Sequence, residues 1–502
     1  MGDGTNGGGN EGTAGVAQVR TGVPGLDRLL NGGLRRGGLH VVLGGPGAGK
    51  SVLAHQIGAQ FVREGGKVLY LTALVETHQM LIAQARTFPF FDPAFVPGSF
   101  YYASLYPVLA RGGLQAVREE IGRLVALHGP SLVVLDGVHA LKVSAEDPLD
   151  YQRFMHEMEA QAAVTDVTTL LLTHPEEGMS SDPTFTIADA IFHLRTEEVR
   201  LREVRMFSVG KLRGVGHVRG WHTFRITAEG IHLYPRLESL AATMETTLSG
   251  EAMETPPAPL AGFTVEGLDD MLGGGLERST VSLLVGTPGA GKTMLGLAFL
   301  SAGAEAGEPG LLVGFHEAPE SLLRKADGVS LPFRKGIADG KIHIHWRSPS
   351  ETLADDVAER TLAFVEEHGI ERVVFDAIED VRHSIIPRER DFYYFAALAS
   401  LLRERGVTTL FLQDLPRIVG MNFDLPLAEL SAVMDNVLHA RYVERKGELL
   451  RLFSVLKIRA RSYDHALRAF HITGEGMRVG EPFEHSEMVL TGLALPRDPQ
   501  SR

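Results

Sequence analysis

Cysteine is absent from all 502 residues, which removes disulfides, thiolate metal sites, iron–sulfur clusters and cysteine nucleophiles together. Any catalysis must come from carboxylates, hydroxyls, histidines, cations or a bound metal. Positive charge is also in short supply. Lys and Arg number 49 against 62 Asp and Glu, a formal net charge of −13, which argues against a surface that grips nucleic acid throughout. No stretch reaches the run of about 18 apolar residues that spans a bilayer, and the N-terminus lacks a basic region followed by an apolar core. The expectation is a cytoplasmic protein without a membrane anchor.

What is present is an ordinary globular balance, 44% hydrophobic and 22% charged, over more residues than one core organises, so two or more domains are expected. Seven of the first fifteen residues are Gly. A segment so poor in apolar surface does not offset its ordering entropy, and residues 1–18 read as a disordered tail. From Thr21 the chain repeats itself. Thr21 to Ser51 aligned with Phe263 to Thr293, 242 residues later, gives 15 identities in 31 positions without a gap. Val167-Thr168-Thr169-Leu170 returns as Val407-Thr408-Thr409-Leu410, and Phe207-Ser208-Val209 with Lys211 and Arg213 returns as Phe453-Ser454-Val455 with Lys457 and Arg459. This is an internal duplication. Thr255-Pro256-Pro257-Ala258-Pro259 between the copies suits an extended linker. The expected organisation is a first domain over 19–240, a linker over 241–260, a second domain over 261–480 and a tail over 481–502.

Short, continuously apolar runs (Val41 to Leu43, Val68 to Leu71, Leu132 to Leu135, Leu170 to Leu172) alternate with segments of 3.6-residue periodicity such as Ala54 to Arg63 and Val117 to Leu127. Runs of that kind suit parallel strands covered on both faces, and the alternation predicts an open α/β sheet in each half.

Two glycine-rich loops carry the chemistry. Gly44-Gly45-Pro46-Gly47-Ala48-Gly49-Lys50-Ser51 follows the first strand and opens a helix, and Gly286-Thr287-Pro288-Gly289-Ala290-Gly291-Lys292-Thr293 repeats the arrangement. Glycines let successive N–H groups curl around phosphates, the lysine reaches the outer phosphates of ATP, and Ser51 and Thr293 are candidate Mg²⁺ ligands. Apolar strands ending in Asp136 and Asp376 stand 86 and 84 residues beyond the two lysines. An aspartate at the carboxyl end of a buried strand can hold Mg²⁺ beside the phosphates.

Gly-Leu-Asp…Gly-Gly-Leu ahead of each phosphate loop, the paired halves and the late Lys-x-Arg tracts resemble the KaiC family of double-domain RecA-type ATPases. The resemblance implies two tandem RecA-like α/β domains, a homohexameric ring of two tiers and nucleotide held between neighbouring subunits. It also implies that Lys211-Leu212-Arg213 and Lys457-Ile458-Arg459 reach the nucleotide of the adjacent subunit, where an arginine can stabilise the charge developed in phosphoryl transfer. Members usually carry two adjacent glutamates after the second strand, the first polarising the attacking water. Here the first position holds Val75 in one half and His316 in the other, leaving Glu76 and Glu317 as the candidate carboxylates. Clock members have a Ser-Thr pair where only Ser431 stands, so serine autokinase activity has one candidate acceptor.

Two weaker patterns complete the reading. His343, His345 and Trp346 alternate like residues of a half-exposed strand and lack a third metal ligand at a telling spacing. Arg195, Arg200, Arg202, Arg205, Lys211, Arg213 and Arg219 form a basic stretch that Glu197, Glu198 and Glu203 interrupt, which favours subunit contacts over single-stranded DNA. Three functions stay open: a slow ring ATPase that signals or scaffolds through protein partners, a DNA-handling recombinase or helicase motor, and a nearly inactive nucleotide-binding scaffold.

Overall fold

The computed structural model describes residues 17–75, 78–175, 182–199, 201–242, 259–415, 430–445, 447–459, 461–483, 486–487 and 495–496. The chain divides into two compact units, 1–236 and 237–502.

The first unit is built on a nine-stranded sheet. Its strands are β1 (Leu39–Gly44), β2 (Val68–Thr72), β3 (Phe100–Ser104), β4 (Leu132–Asp136), β5 (Thr168–Thr173), β6 (Ala190–Val199), β7 (Arg202–Leu212), β8 (Trp221–Thr227) and β9 (Gly230–Tyr234). They lie in the order β3-β2-β4-β5-β1-β6-β7-β8-β9. The pairings from β3 through β6 are parallel and those from β6 to β9 antiparallel. The second unit repeats this order with β10 (Val281–Gly286), β11 (Gly310–Gly314), β12 (Ile342–Trp346), β13 (Arg372–Asp376), β14 (Thr408–Asp414), β15 (Asn436–Arg445), β16 (Glu448–Ile458), β17 (Arg468–Thr473) and β18 (Gly476–Pro482). The expected open α/β sheets are therefore found in both halves, each extended by an antiparallel meander that the apolar runs alone did not announce.

Strand alternation decides which side chains meet the phosphate-loop helix. In the first unit Leu132 and Val134 pack in one core cluster with Leu53, Ala54 and Ile57 of helix Lys50–Arg63, while Val133 and Leu135 pack in the cluster on the other face. The period of two therefore turns Asp136 toward that helix. Val374 packs with Leu295, Leu297 and Ala298 of helix Lys292–Glu305 in the same way, which turns Asp376 toward the second loop.

The repeated Gly-Leu-Asp has a structural task. Asp27 Oδ1 accepts from the Thr21 N–H at 2.9 Å and its hydroxyl at 2.7 Å, and Asp269 accepts from the N–H groups of Phe263 and Thr264 at 2.9 and 3.0 Å. Each aspartate ties the entering chain to its unit.

Candidate nucleotide sites

Gly49 and Gly291 fix the backbone of the two loops. Their φ values are 100° and 103°, a left-handed conformation that glycine adopts without the Cβ penalty. A Cβ at Gly49 would meet Ile226 Cδ1 at 2.9 Å, and one at Gly291 would meet Ile472 Cδ1 and Phe470 Cε1 at 2.7 Å. Gly45 and Gly47 have open space on their Cβ side. Both loops have a packed rear wall; the front of the first is open, whereas in the second the Tyr442 hydroxyl stands 3.2 Å from where a Gly289 Cβ would lie. Successive N–H groups curled this way form a cradle that fits polyphosphate.

Lys50 Nζ donates to the carbonyls of Gly44 and Gly45 at 2.6 and 3.0 Å, and Lys292 Nζ donates to Gly286 and Thr287 at 2.9 and 3.0 Å. Both lysines fold back over their own loops. Ser51 Oγ stands 3.4 Å from Asp136 Oδ2, and Thr293 Oγ1 donates to Asp376 Oδ2 at 2.7 Å. A hydroxyl and a carboxylate within one hydrogen bond of each other, beside a phosphate cradle, form a donor set that fits Mg²⁺. Burial lifts the carboxyls of Asp136 and Asp376 above their ordinary value and lowers the Lys50 ammonium.

Three contacts at these sites were not readable from the motifs. The first is Tyr70, fully buried on β2, whose phenol donates to Asp136 Oδ2 at 2.7 Å while its ring stacks on His55 at 4.7 Å. The second lies at the end of the fifth strand, where His174 Nδ1 is 3.2 Å from the Gly44 carbonyl and 3.5 Å from Lys50 Nζ. The third is its counterpart Asp414, whose carboxylate pairs with Lys292 Nζ at 2.5 Å. Near Asp414, burial and the charges of Asp414 and Asp380 push Glu379 up to about 7. The first half therefore sets a histidine against its phosphate lysine where the second sets a carboxylate.

The candidate water-polarising residues divide. Glu76 lies outside the described residues, and its neighbour Val75 is 76% exposed. Glu317 follows β11 and is close enough for its charge to act on Asp376. Its carboxylate accepts from Ser321 Oγ and pairs with Lys325 Nζ, both at 2.7 Å. His316 turns instead to Asp380, with Nε2 2.7 Å from Oδ1.

The Lys-x-Arg tracts sit elsewhere. Lys211 pairs with Ile191 and Val209 with Phe192, leaving Gly210 as an extra residue, and Leu456 is the extra residue ahead of Lys457. These bulges re-aim the end of the strand. Lys211 Nζ donates to the carbonyls of Phe185 and Thr186 at 2.9 Å, and Arg213 to those of Thr186 and Ile187 at 2.7 and 3.4 Å. Lys457 Nζ donates to Ser431 and Met434 at 2.6 and 2.8 Å, and Arg459 to Ala432. In both halves the cations cap the closing carbonyls of a short helix, Pro183–Ile187 or Leu430–Val433.

Their place in the sheet is fixed by register. Ala190 pairs with Leu212 on one side and His40 on the other, and Asn436 pairs likewise with Ile458 and Ser282. The tracts thus lie at the start of β1 and β10, whereas the phosphate loops follow their ends. From His40 to Gly44 is four residues, roughly 13 Å of strand. Lys211, Arg213, Lys457 and Arg459 therefore stand away from Lys50, Asp136, Lys292 and Asp376 of their own units.

Comparison with known proteins agrees with this architecture. The family model for the KaiC ATPase matches residues 19–238 and 262–484. The circadian clock protein KaiC3 of Synechocystis sp. is 25% identical over 501 residues, covering 96% of this chain and 95% of its own. The circadian clock oscillator protein KaiC of Picosynechococcus sp. is 24% identical over 490 residues, covering 95% and 92%. That of Rippkaea orientalis is 25% identical over 496 residues, covering 96% and 92%. With both halves matched and the strand order duplicated, the chain belongs to the KaiC ATPase family.

Proposed function

We propose that the chain is a cytoplasmic ring ATPase that binds ATP with Mg²⁺ at each phosphate loop, hydrolyses it slowly between subunits of a homohexamer, and signals or scaffolds through protein partners. The observation that carries this reading is the position of the Lys-x-Arg cations at the opposite end of the sheet from their own phosphate loop. A cation so placed serves a nucleotide only by reaching the loop of another copy, and a head-to-tail contact of that kind closes into a ring when its rotation permits.

Each half supplies the same parts. The amides of Gly44 to Ser51 and Gly286 to Thr293 receive the phosphates, and Lys50 and Lys292 swing from their own carbonyls to the outer ones. Ser51 with Asp136, and Thr293 with Asp376, are the residues to hold Mg²⁺, which when bound neutralises phosphate charge. In the second half Glu317 is the carboxylate placed to polarise the attacking water, and Glu76 is its first-half counterpart. The Glu317 carboxylate is already engaged by Ser321 and Lys325, which fits slow turnover.

One contact favours the nearly inactive scaffold for the second half alone: Asp414 on Lys292 occupies the ammonium that the phosphates need. Ser431 is the acceptor that serine autokinase activity would use; its own carbonyl accepts from Lys457. The basic stretch gives the DNA reading little support, since Arg195 pairs with Glu197 at 2.7 Å and lies over the Trp221 ring at 3.7 Å.

The test is analytical ultracentrifugation of the full chain with and without ATP and Mg²⁺, beside steady-state phosphate release. Nucleotide is expected to build or tighten a hexamer, and Arg213→Ala to weaken assembly and turnover together. A monomer whose two loops are filled yet which does not assemble overturns the ring.

A further inference from the structure

A cavity of about 240 Å³ opens in the second unit beside the sheet edge, between β11, β12 and helix Ala354–His368. Its apolar side comes from Val313, Phe315 and Val357, and its polar side from His345, Arg347, Arg360 and Thr361. Among these described residues none is acidic. The acid that holds both guanidiniums lies behind the lining: Asp356, fully buried, accepts from Arg347 Nη1 and from Arg360 Nε, each at 2.6 Å. One carboxylate thus faces two arginines, and the three groups carry one net positive charge.

The arrangement is rigid where it needs to be. Asp356 belongs to the helix, and the Arg347 N–H donates to the Gly314 carbonyl at 3.0 Å, which docks the residue after β12 against β11. Burial, followed by the charge of Arg347, lowers the His345 imidazole, so it enters as a neutral ring whose edge rests on Phe364. An apolar floor with a few convergent polar donors is the usual make-up of a small-ligand pocket, here just below the usual size range. It stands at the carboxyl ends of two parallel strands, where open α/β sheets place ligands.

We propose that this cavity binds a small organic anion, a carboxylate or phosphate whose charged head meets Arg347 and Arg360 and whose apolar body rests on Phe315. The site is separate from the second phosphate loop, which follows β10, three strands away in the sheet order. Phe315 stands two residues before Glu317, so an occupant touches the segment that carries this carboxylate.

Isothermal titration of the full chain tests the site with benzoate, phenyl phosphate and benzyl alcohol, three probes that share a ring and differ in the head. Lys50→Ala/Lys292→Ala protein is titrated in parallel, so that phosphate-loop binding is recognised. Benzoate or phenyl phosphate is expected to bind in both proteins, at least tenfold more tightly than benzyl alcohol, with the better of the two identifying the head. Arg360→Met, at a mostly exposed side chain, is expected to weaken that binding about tenfold, and Val357→Phe to abolish it by filling the cavity. Trp346, which also lines the cavity and is 43% exposed, is expected to report occupancy by a change in emission. The site is overturned by equal affinity for anion and alcohol, by loss of all binding in the double lysine variant, or by anion binding that Arg360→Met and Arg347→Met both leave unchanged.

Discussion

Lys292 Nζ lies 2.5 Å from an oxygen of Asp414, at the place where the first half sets His174 against Lys50. A nucleotide entering the second loop must take the ammonium from that carboxylate and then lie beside a negative charge. Asp414→His, which installs the first-half residue, is expected to tighten ATP binding at this site about three- to tenfold. The gain is held to that range because Asp414 is half exposed and solvent screens the pair. Titration with a fluorescent ATP analogue in Lys50→Ala protein isolates the site; unchanged affinity would show that the pair costs the nucleotide nothing.

Val75 offers a gain-of-function test. Its side chain is exposed, so a carboxylate there is not buried and costs little stability. Val75→Glu is expected to raise first-half hydrolysis at least tenfold, part of the roughly 10²–10⁴-fold that a positioned general base supplies. The measurement is phosphate release in Lys292→Ala protein, with Glu76→Gln beside it. Fast turnover in the parent that Glu76→Gln abolishes would place the base at Glu76.

The first unit should be acid-labile. Burial pushes His40 and His55 down to about 4, and the Nε2 of His55 has no partner among the described residues. The unfolded chain takes up these protons near 6.5, whereas the folded chain refuses them. Their contribution to stability is therefore present above pH 6.5 and lost as pH falls toward 4. Each site contributes on the order of 1–3 kcal/mol across that window. His55→Leu is expected to flatten the fall in urea midpoint between pH 7.5 and 5.0, and an unchanged slope would remove His55 from the account.

Arg390 anchors the opening of the second unit. It donates to Glu238 at 2.7 and 2.6 Å and to Asp355 at 3.0 and 2.8 Å, with all three groups largely buried. Arg390→Met leaves two carboxylates without their cation and is expected to cost about 3–5 kcal/mol. Thermal unfolding should show the loss in the second unit's transition; a shift confined to the other transition would contradict the assignment.

What the sequence discloses here is what neighbours along the chain decide. Gly49 and Gly291 announce a phosphate loop because the backbone geometry is written into consecutive residues, and Asp136 and Asp376 follow because a buried strand must end beside it. Tyr70, His174 and Asp414 are silent in one dimension: each matters through a partner on another element distant in the chain, and none belongs to a motif. The same limit applied to Lys211 and Arg213. Their recurrence marked them, but only the register of β6 on β1 and β7 showed which end of the sheet they occupy. His343 and His345 do lie on the edge strand β12, and the rings beside His343 on the neighbouring helix are Phe364 and His368, which spacing along the chain did not bring to notice.

The anchor at Glu238 also decides where this protein can be cut. Pro256 and Pro257 are the obvious place to separate the two ATPase halves, yet helix Leu237–Ala241 lies upstream of them and packs in the second unit, where Leu237 joins the core and Glu238 neutralises Arg390. A second half begun after the prolines would lose its counter-ion and a piece of its core, while the matching first half would carry an ownerless apolar helix. Dissection at Arg236 instead keeps each hydrophobic core with the residues that complete it.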